Sequence, residues 1–260
     1  MEPFESDLAR LRALRMRGEY RPAQAVAGAL LAGGWGAPAE ALVRNECGLI
    51  WKALGEYRRA RGEYERAMRL VAGRAATEDR DDVATLLHNL AGIRFVLGDP
   101  AGAARCGRRG LAMRRRLWGP DDLAVLLDEG NLAPILVALG DHDGAQRLLD
   151  RLLVRFTALG APAEFDLAVT LTNLGGLAAR RGDWTQARDT LARAASVKER
   201  RSGPDSPELI TTLANLAVAH DRLGAAETAG EVRARARRIA RATLPPSHPL
   251  RRHVERSGSS

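Results

Sequence analysis

The chain of 260 residues is 45% hydrophobic and 28% charged, enough apolar material for a sizeable core, which excludes wholesale disorder. Aromatic residues make up 4%, which argues against a large β-sandwich or barrel, and no apolar run approaches the ~18 residues of a spanning helix. The 40 Lys+Arg against 32 Asp+Glu leave a net charge of +8, almost all of it arginine and spread along the chain, a pattern that favours codon bias over an acidic ligand.

In chain order, the opening stretch from Met1 to Arg10 has no basic segment leading into an apolar one, so no secretory signal is expected. Beyond it the sequence repeats itself. Gly18-Glu19-Tyr20 and Gly55-Glu56-Tyr57 open the series. Asn-Leu then recurs at Asn89, Asn131, Asn173 and Asn215, each followed at a fixed distance by Gly98, Gly140, Gly182 or Gly224. The period is 42 residues in both markers. A small residue holds the fifth place after each glycine: Ala23, Ala60, Ala103, Ala145, Ala187 and Ala229. Six units are predicted, at approximately 5–36, 38–76, 80–119, 121–161, 164–205 and 206–246.

Each unit reads as two helices. Leu167, Ala168, Leu171, Leu174, Leu177 and Ala178 recur at three- and four-residue steps and form one apolar stripe. The glycine ends that helix, and the Asp after it (Asp99, Asp141, Asp183) caps the next one, with Pro100 suited to a first helical position. The small Ala lets the two helices approach. A second loop rich in Gly and Pro closes each unit, as in Gly203-Pro204-Asp205-Ser206-Pro207, and alternating β-branched runs are absent. Departures are also visible: Pro134 should bend its helix, Gly107 and Gly110 suggest loose packing, and Ala225 replaces the capping Asp of the last unit. Glu78 to Asp82 read as a loop leading into a charged first turn, and residues 251–260 as a flexible tail.

These markers resemble the tetratricopeptide repeat family, and within it the 42-residue variant of kinesin light chains. The unit from Ala41 carries Gly48, Trp51, Gly55, Tyr57, Ala60, Tyr64 and Ala67 on consensus positions. The resemblance implies an all-α fold: one solenoid domain over 1–250, a right-handed superhelix of about six helix-turn-helix units. It also places Asn89, Asn131, Asn173 and Asn215 on a concave inner face, with Glu46 in the equivalent place of the second unit. Lys52, Arg180 and Arg222 lie one or two turns further on, and His88 and Thr172 adjoin the asparagines.

A carboxamide both donates and accepts, so a row of asparagines can pair with the backbone of an extended peptide without reading its sequence. Arg180 and Arg222 could grip an acidic side chain or a terminal carboxylate. The bland alternative has equal standing: the amides bond to the neighbouring helix and set register. The function expected is a scaffold that binds another protein or a peptide segment, for which an acidic one would suit. A sensor of a peptide or metabolite, and an accessory enzyme using Glu46, His88 and Asp221, remain alternatives.

Other signals point to no chemistry. The arginines from Arg105 to Arg116 and from Arg233 to Arg241 read as solvated outer faces, and nucleic acid is not expected without a reading module. Asp141-His142-Asp143-Gly144 lacks the Glu of a calcium loop, since Leu152 stands there. The histidines never pair at metal spacing, Cys47 falls on a core position, and His248 reads as a turn residue. No cofactor, metal or catalytic residue is expected. Cys47 and Cys106 form no redox motif, as in a cytoplasmic protein with reduced thiols.

Overall fold

The computed structural model describes residues 3–71 and 81–256. Glu78, Asp79 and Arg80 of the expected charged loop, and residues 257–260 of the expected tail, lie outside the described residues. Among the described residues the secondary structure is helical, without strands. The helices are α1 (Pro3–Met16), α2 (Tyr20–Ala32), α3 (Ala37–Ala53), α4 (Tyr57–Val71), α5 (Asp81–Val96), α6 (Pro100–Trp118) and α7 (Leu123–Ala138). They continue as α8 (His142–Leu159), α9 (Glu164–Arg180), α10 (Trp184–Ser202), α11 (Leu209–Arg222), α12 (Ala226–Thr243) and α13 (Pro249–Arg256). Contacts divide the chain into two compact units, Met1–Asn131 and Leu132–Ser260, with the division inside α7.

The turn chemistry is the one read from the repeat. Gly98, Gly140 and Gly182 have φ of 84°, 83° and 80°, a left-handed conformation that any Cβ would oppose. The next residue turns its own N–H back: Asp99 donates to the Arg94 carbonyl at 2.9 Å, and Asp183 to that of Ala178 at 3.0 Å. Each Asp side chain then caps the following helix. Asp99 accepts from the Gly102 N–H at 2.7 Å, Asp141 from Gly144 at 2.9 Å and Asp183 from Gln186 at 3.0 Å. Ala225 starts α12 with similar backbone angles and no side-chain cap.

The second loops also repeat. Asp122 accepts from the Ala124 N–H at 2.8 Å, Ser206 from Glu208 at 3.3 Å, and His248 Nδ1 from Leu250 at 3.2 Å. His248 thus does act in a turn. It also launches α13 where a flexible tail was expected from residue 251. Residues 251–256 are helical because Leu250 and Val254 share one face, and Val254 is buried against α11 and α12 with Leu209, Ile239 and Ala240. Val254 holds the repeat position of Thr212, so α13 starts a further unit and closes the apolar end of α12 with a charged helix.

In the first unit the core joins Leu8, Leu11 and Leu14 of α1 to Ala27 and Leu30 of α2 and to Val43 and Ile50 of α3. A second cluster joins Tyr64, Ala67 and Val71 of α4 to Val83, Leu87, Leu90 and Ile93 of α5. Gly110 was expected to loosen α6. It does the opposite: a Cβ there would stand 3.1 Å from Leu87 Cβ and 3.2 Å from the Ala84 carbonyl, so its absence lets α6 close onto α5. In the second unit Ala133, Ala145, Leu149 and Leu177 form one cluster and Ala168, Leu171, Ala194 and Val197 another. Gly175 has the same use as Gly110, since a Cβ would meet Leu191 Cγ at 2.5 Å. Helix α7 runs on through Pro134 to Ala138.

Candidate functional site

The first helix of each pair carries the residues singled out by the repeat. In the first unit they are occupied internally. Glu46 on α3 is buried and takes ion pairs from Arg12 Nε at 3.0 Å and Arg15 Nε at 2.8 Å, both on α1. Asn89 on α5 donates from Nδ2 to Asn45 Oδ1 at 2.8 Å, and Asn131 on α7 donates to the His88 carbonyl at 3.3 Å. These are bonds between successive first helices, the register role of the amide. Lys52 is exposed, and the protein packed around its ammonium pulls its pKa below the ordinary lysine range.

His88 belongs to a polar network that the sequence did not reveal. Its Nδ1 lies 2.6 Å from Asp128 Oδ1. The same oxygen accepts from Arg114 Nη1 at 3.0 Å. Arg114 further donates from Nε to Asp81 Oδ1 at 3.1 Å and from Nη2 to Thr85 Oγ1 at 2.7 Å. Arg114 was expected on a solvated outer face, yet it is 6% exposed. A buried guanidinium needs its donors paired, and these three acceptors from α5 and α7 supply that. Arg115 beside it pairs with buried Glu129. Asp128 Oδ2 is buried without a hydrogen-bond partner.

The second unit holds the counterpart. Thr172 Oγ1 lies 3.0 Å from Thr212 Oγ1 and donates to the Ala168 carbonyl at 2.8 Å. Lys198 Nζ donates to Thr212 Oγ1 at 2.7 Å and to the Glu208 carbonyl at 3.1 Å. Burial pulls the Lys198 pKa down to about 8, and the Glu208 carboxylate opposes that only in part.

Asn173 and Asn215 differ from their first-unit equivalents. Asn173 is half-buried, Asn215 is exposed, and neither carboxamide has a hydrogen-bond partner among the described residues. Arg180 and Arg222 lie two turns on along α9 and α11, on the same stripes, and both are exposed. Neither takes part in an ion pair among the described residues, and the Arg222 guanidinium rests 5.2 Å from the Trp184 ring centroid. Val218 is 45% exposed between Asn215 and Arg222. At Gly176, one turn after Asn173, nothing lies within 4 Å of a Cβ position, so the surface is open there. Asp221 points elsewhere, into an ion pair with Arg233.

Cys47 is pushed up to about 12 by burial first and by the Glu63 and Glu46 carboxylates next, which keeps it a thiol. Among the described residues no group of three His, Cys, Asp or Glu could hold a metal ion.

Two family models, both described as tetratricopeptide repeat, match residues 83–124 and 166–242. Both stretches thus carry tetratricopeptide repeats. No curated protein sequence matches it. Solved structures similar to this repeat protein include NprR in complex with its cognate peptide NprX. That likeness has a TM-score of 0.79 at 15% identity, covering 97% of this chain and 69% of that one. A Rap protein complexed with Competence and Sporulation Factor gives 0.77 at 16%, covering 90% and 64%. The nearly identical TPR-like repeats of a putative kinesin light chain from Podosopora anserina give 0.56 at 17%, covering 79% and 97%. At these identities the likeness shows the fold, a helical repeat fold of tetratricopeptide type.

The residues that sequence reasoning missed are Asp128, Arg114, Lys198 and Thr212. A signal existed for most of them. His88, Arg114 and Asp128 stand at the same places in the repeat as Thr172, Lys198 and Thr212. Polar residues at all three places of a unit would have marked a buried network.

Proposed function

We propose that this protein binds an extended peptide segment of a partner along α9 and α11, with Asn173 and Asn215 pairing to the peptide backbone and Arg180 and Arg222 to a carboxylate. The observation that carries the reading is the contrast within one ladder. Asn89 and Asn131 spend their amides on neighbouring helices, whereas Asn173 and Asn215 keep theirs open beside unpaired guanidiniums. Helices packed ~8–10 Å apart meet an extended chain, at about 3.3 Å per residue, once every third residue. Two amides therefore hold a short stretch, and the arginines fix its direction. The fold likeness to NprR solved with its cognate peptide supports the same reading.

The test is a selection from a displayed peptide library, followed by affinity measurements on the recovered peptides. Peptides carrying an acidic side chain or a free C-terminus should dominate. Arg180→Ala with Arg222→Ala should weaken them about tenfold or more and flatten the salt dependence of binding. Recovery of peptides indifferent to both substitutions would remove this reading.

A second reading, a peptide-sensing regulator, is favoured by the likeness to NprR, described in its peptide-free form as a quorum sensor. It predicts a change of compactness in solution scattering when a selected peptide is added. No helix among the described residues is long and apolar enough to cross a membrane.

A further inference from the structure

Resting on the peptide reading of α9 and α11, we propose that Trp184 positions Arg222 to receive the ligand's carboxylate, so that Arg222 is the anchor and the acidic residue of the bound segment lies over the end of α11. Three guanidiniums lie over aromatic rings among the described residues: Arg59 over Trp51 and Arg201 over Phe165, both at 4.8 Å, and Arg222 over Trp184 at 5.2 Å. The first two also have an acid at hand, Glu56 at 4.0 Å from Arg59 and Glu208 at 3.7 Å from Arg201. Arg222 has the ring and no acid among the described residues. A ring attracts the cation through its quadrupole but takes none of the in-plane N–H donors that a carboxylate would occupy. The stack therefore confines a long side chain and leaves its donors for a ligand.

The repeat sets the two arginines apart. Trp184 stands two residues after Gly182, and Arg222 two before Gly224. One unit earlier the same two places hold His142 and Arg180. Arg180 rests on no Phe, Tyr or Trp ring and has no acid among the described residues, so a ligand must order its side chain at a cost in rotamer entropy. Trp184 is itself fixed. It is the first residue of α10 and half-buried, its N–H donates to the Gly182 carbonyl at 3.0 Å, and Asp183 before it caps the helix through the Gln186 N–H at 3.0 Å. The acid next in sequence to Arg222, Asp221, is held by Arg233. A guanidinium placed in advance on a fixed ring loses less freedom on taking a bidentate carboxylate than Arg180 does, and it takes the larger share of the binding.

The probe is a peptide with a single carboxylate, acetyl-Ala-Ala-Glu-Ala-Ala amide, beside its glutamine counterpart. In the full chain grown with 5-fluorotryptophan, the glutamate peptide should move the Trp184 fluorine resonance, assigned with Trp184→Phe, in a saturable way at millimolar concentration. The glutamine peptide should bind about fivefold or more weakly. By calorimetry on the unlabelled chain, Arg222→Ala should lower the affinity for the glutamate peptide about tenfold, and Arg180→Ala about threefold or less. Trp184→Leu should lower it about fivefold, and Trp184→Phe, which keeps a ring face, less than about twofold. In the Arg222→Ala chain, Trp184→Leu should cost nothing further, an outcome that loss of folding would not give. Equal losses from Arg180→Ala and Arg222→Ala, full affinity in Trp184→Leu, or additive losses in the double variant would overturn the positioning role and leave the peptide reading standing. Failure of the wild type to bind the glutamate peptide, or binding indifferent to Asn173→Ala, Asn215→Ala, Arg180→Ala and Arg222→Ala alike, would remove the two together.

Discussion

Arg114 and Lys198 hold the same place in the repeat, and each reaches from the second helix of its pair to the first helix of the next. Arg114 meets Asp128 at 3.0 Å and Lys198 meets Thr212 at 2.7 Å, the residues three before Asn131 and Asn215. The two connections are chemically unlike. A guanidinium stays charged and takes a carboxylate as partner, whereas the ammonium has only a hydroxyl and a carbonyl, so its charge is costly and its pKa falls.

Removing Arg114 should therefore be expensive. It leaves buried Asp128 with His88 alone and strips Asp81 and Thr85 of a donor. Arg114→Met is expected to destabilise the first unit by about 3–5 kcal/mol, as for a broken buried pair. Arg108→Ala, at an exposed position of the same helix, should change stability by less than about 0.5 kcal/mol. Urea unfolding followed by circular dichroism compares the two.

Lys198 predicts a pH dependence of definite sign. Its pKa is about 8 in the folded chain against an ordinary 10.5. Between these values the unfolded chain binds the proton that the folded chain sheds, so this group's contribution to stability rises with pH across the window and is flat below it. The full difference is about 3 kcal/mol. Cys47, Cys106 and Tyr64, all raised by burial, act in the opposite direction at alkaline pH. The comparison is therefore between wild type and Lys198→Met: the wild type should gain on the variant from pH 8 to 10.5, and parallel curves would contradict the placement of Lys198.

The uncapped start of α12 offers a gain. Ala225 has φ −87° and ψ 61°, close to the −82° and 69° of Asp141, whose side chain caps α8. Ala225→Asp should accept from the Thr228 N–H and stabilise the second unit by about 1 kcal/mol. Thermal unfolding reads this as a raised midpoint.

Much of the fold was legible because its determinants are local. A glycine with positive φ, the Asp after it and the small residue five on lie within one turn of one another, so they survive in the sequence as a fixed pattern. The site was legible only in part because its determinants cross between helices. Arg114 sits among arginines that do face solvent, and nothing adjacent in the chain distinguishes it. Whether an asparagine is open or spent depends on the neighbour opposite: Asn45 lies across from Asn89, and Asn131 reaches the His88 carbonyl. Helix α13 escaped notice because a single helix of eight residues shows too little of the repeat, although Val254 keeps its register.

The most direct test of the account compares two double substitutions in the same ladder. Asn173→Ala with Asn215→Ala should lower the affinity for a library-selected peptide about tenfold or more while leaving the unfolding midpoint unchanged. Asn89→Ala with Asn131→Ala should do the reverse, lowering stability by about 1–3 kcal/mol with little effect on the peptide. Equal affinities in the first pair, or loss of peptide binding confined to the second, would contradict the assignment of open and spent amides.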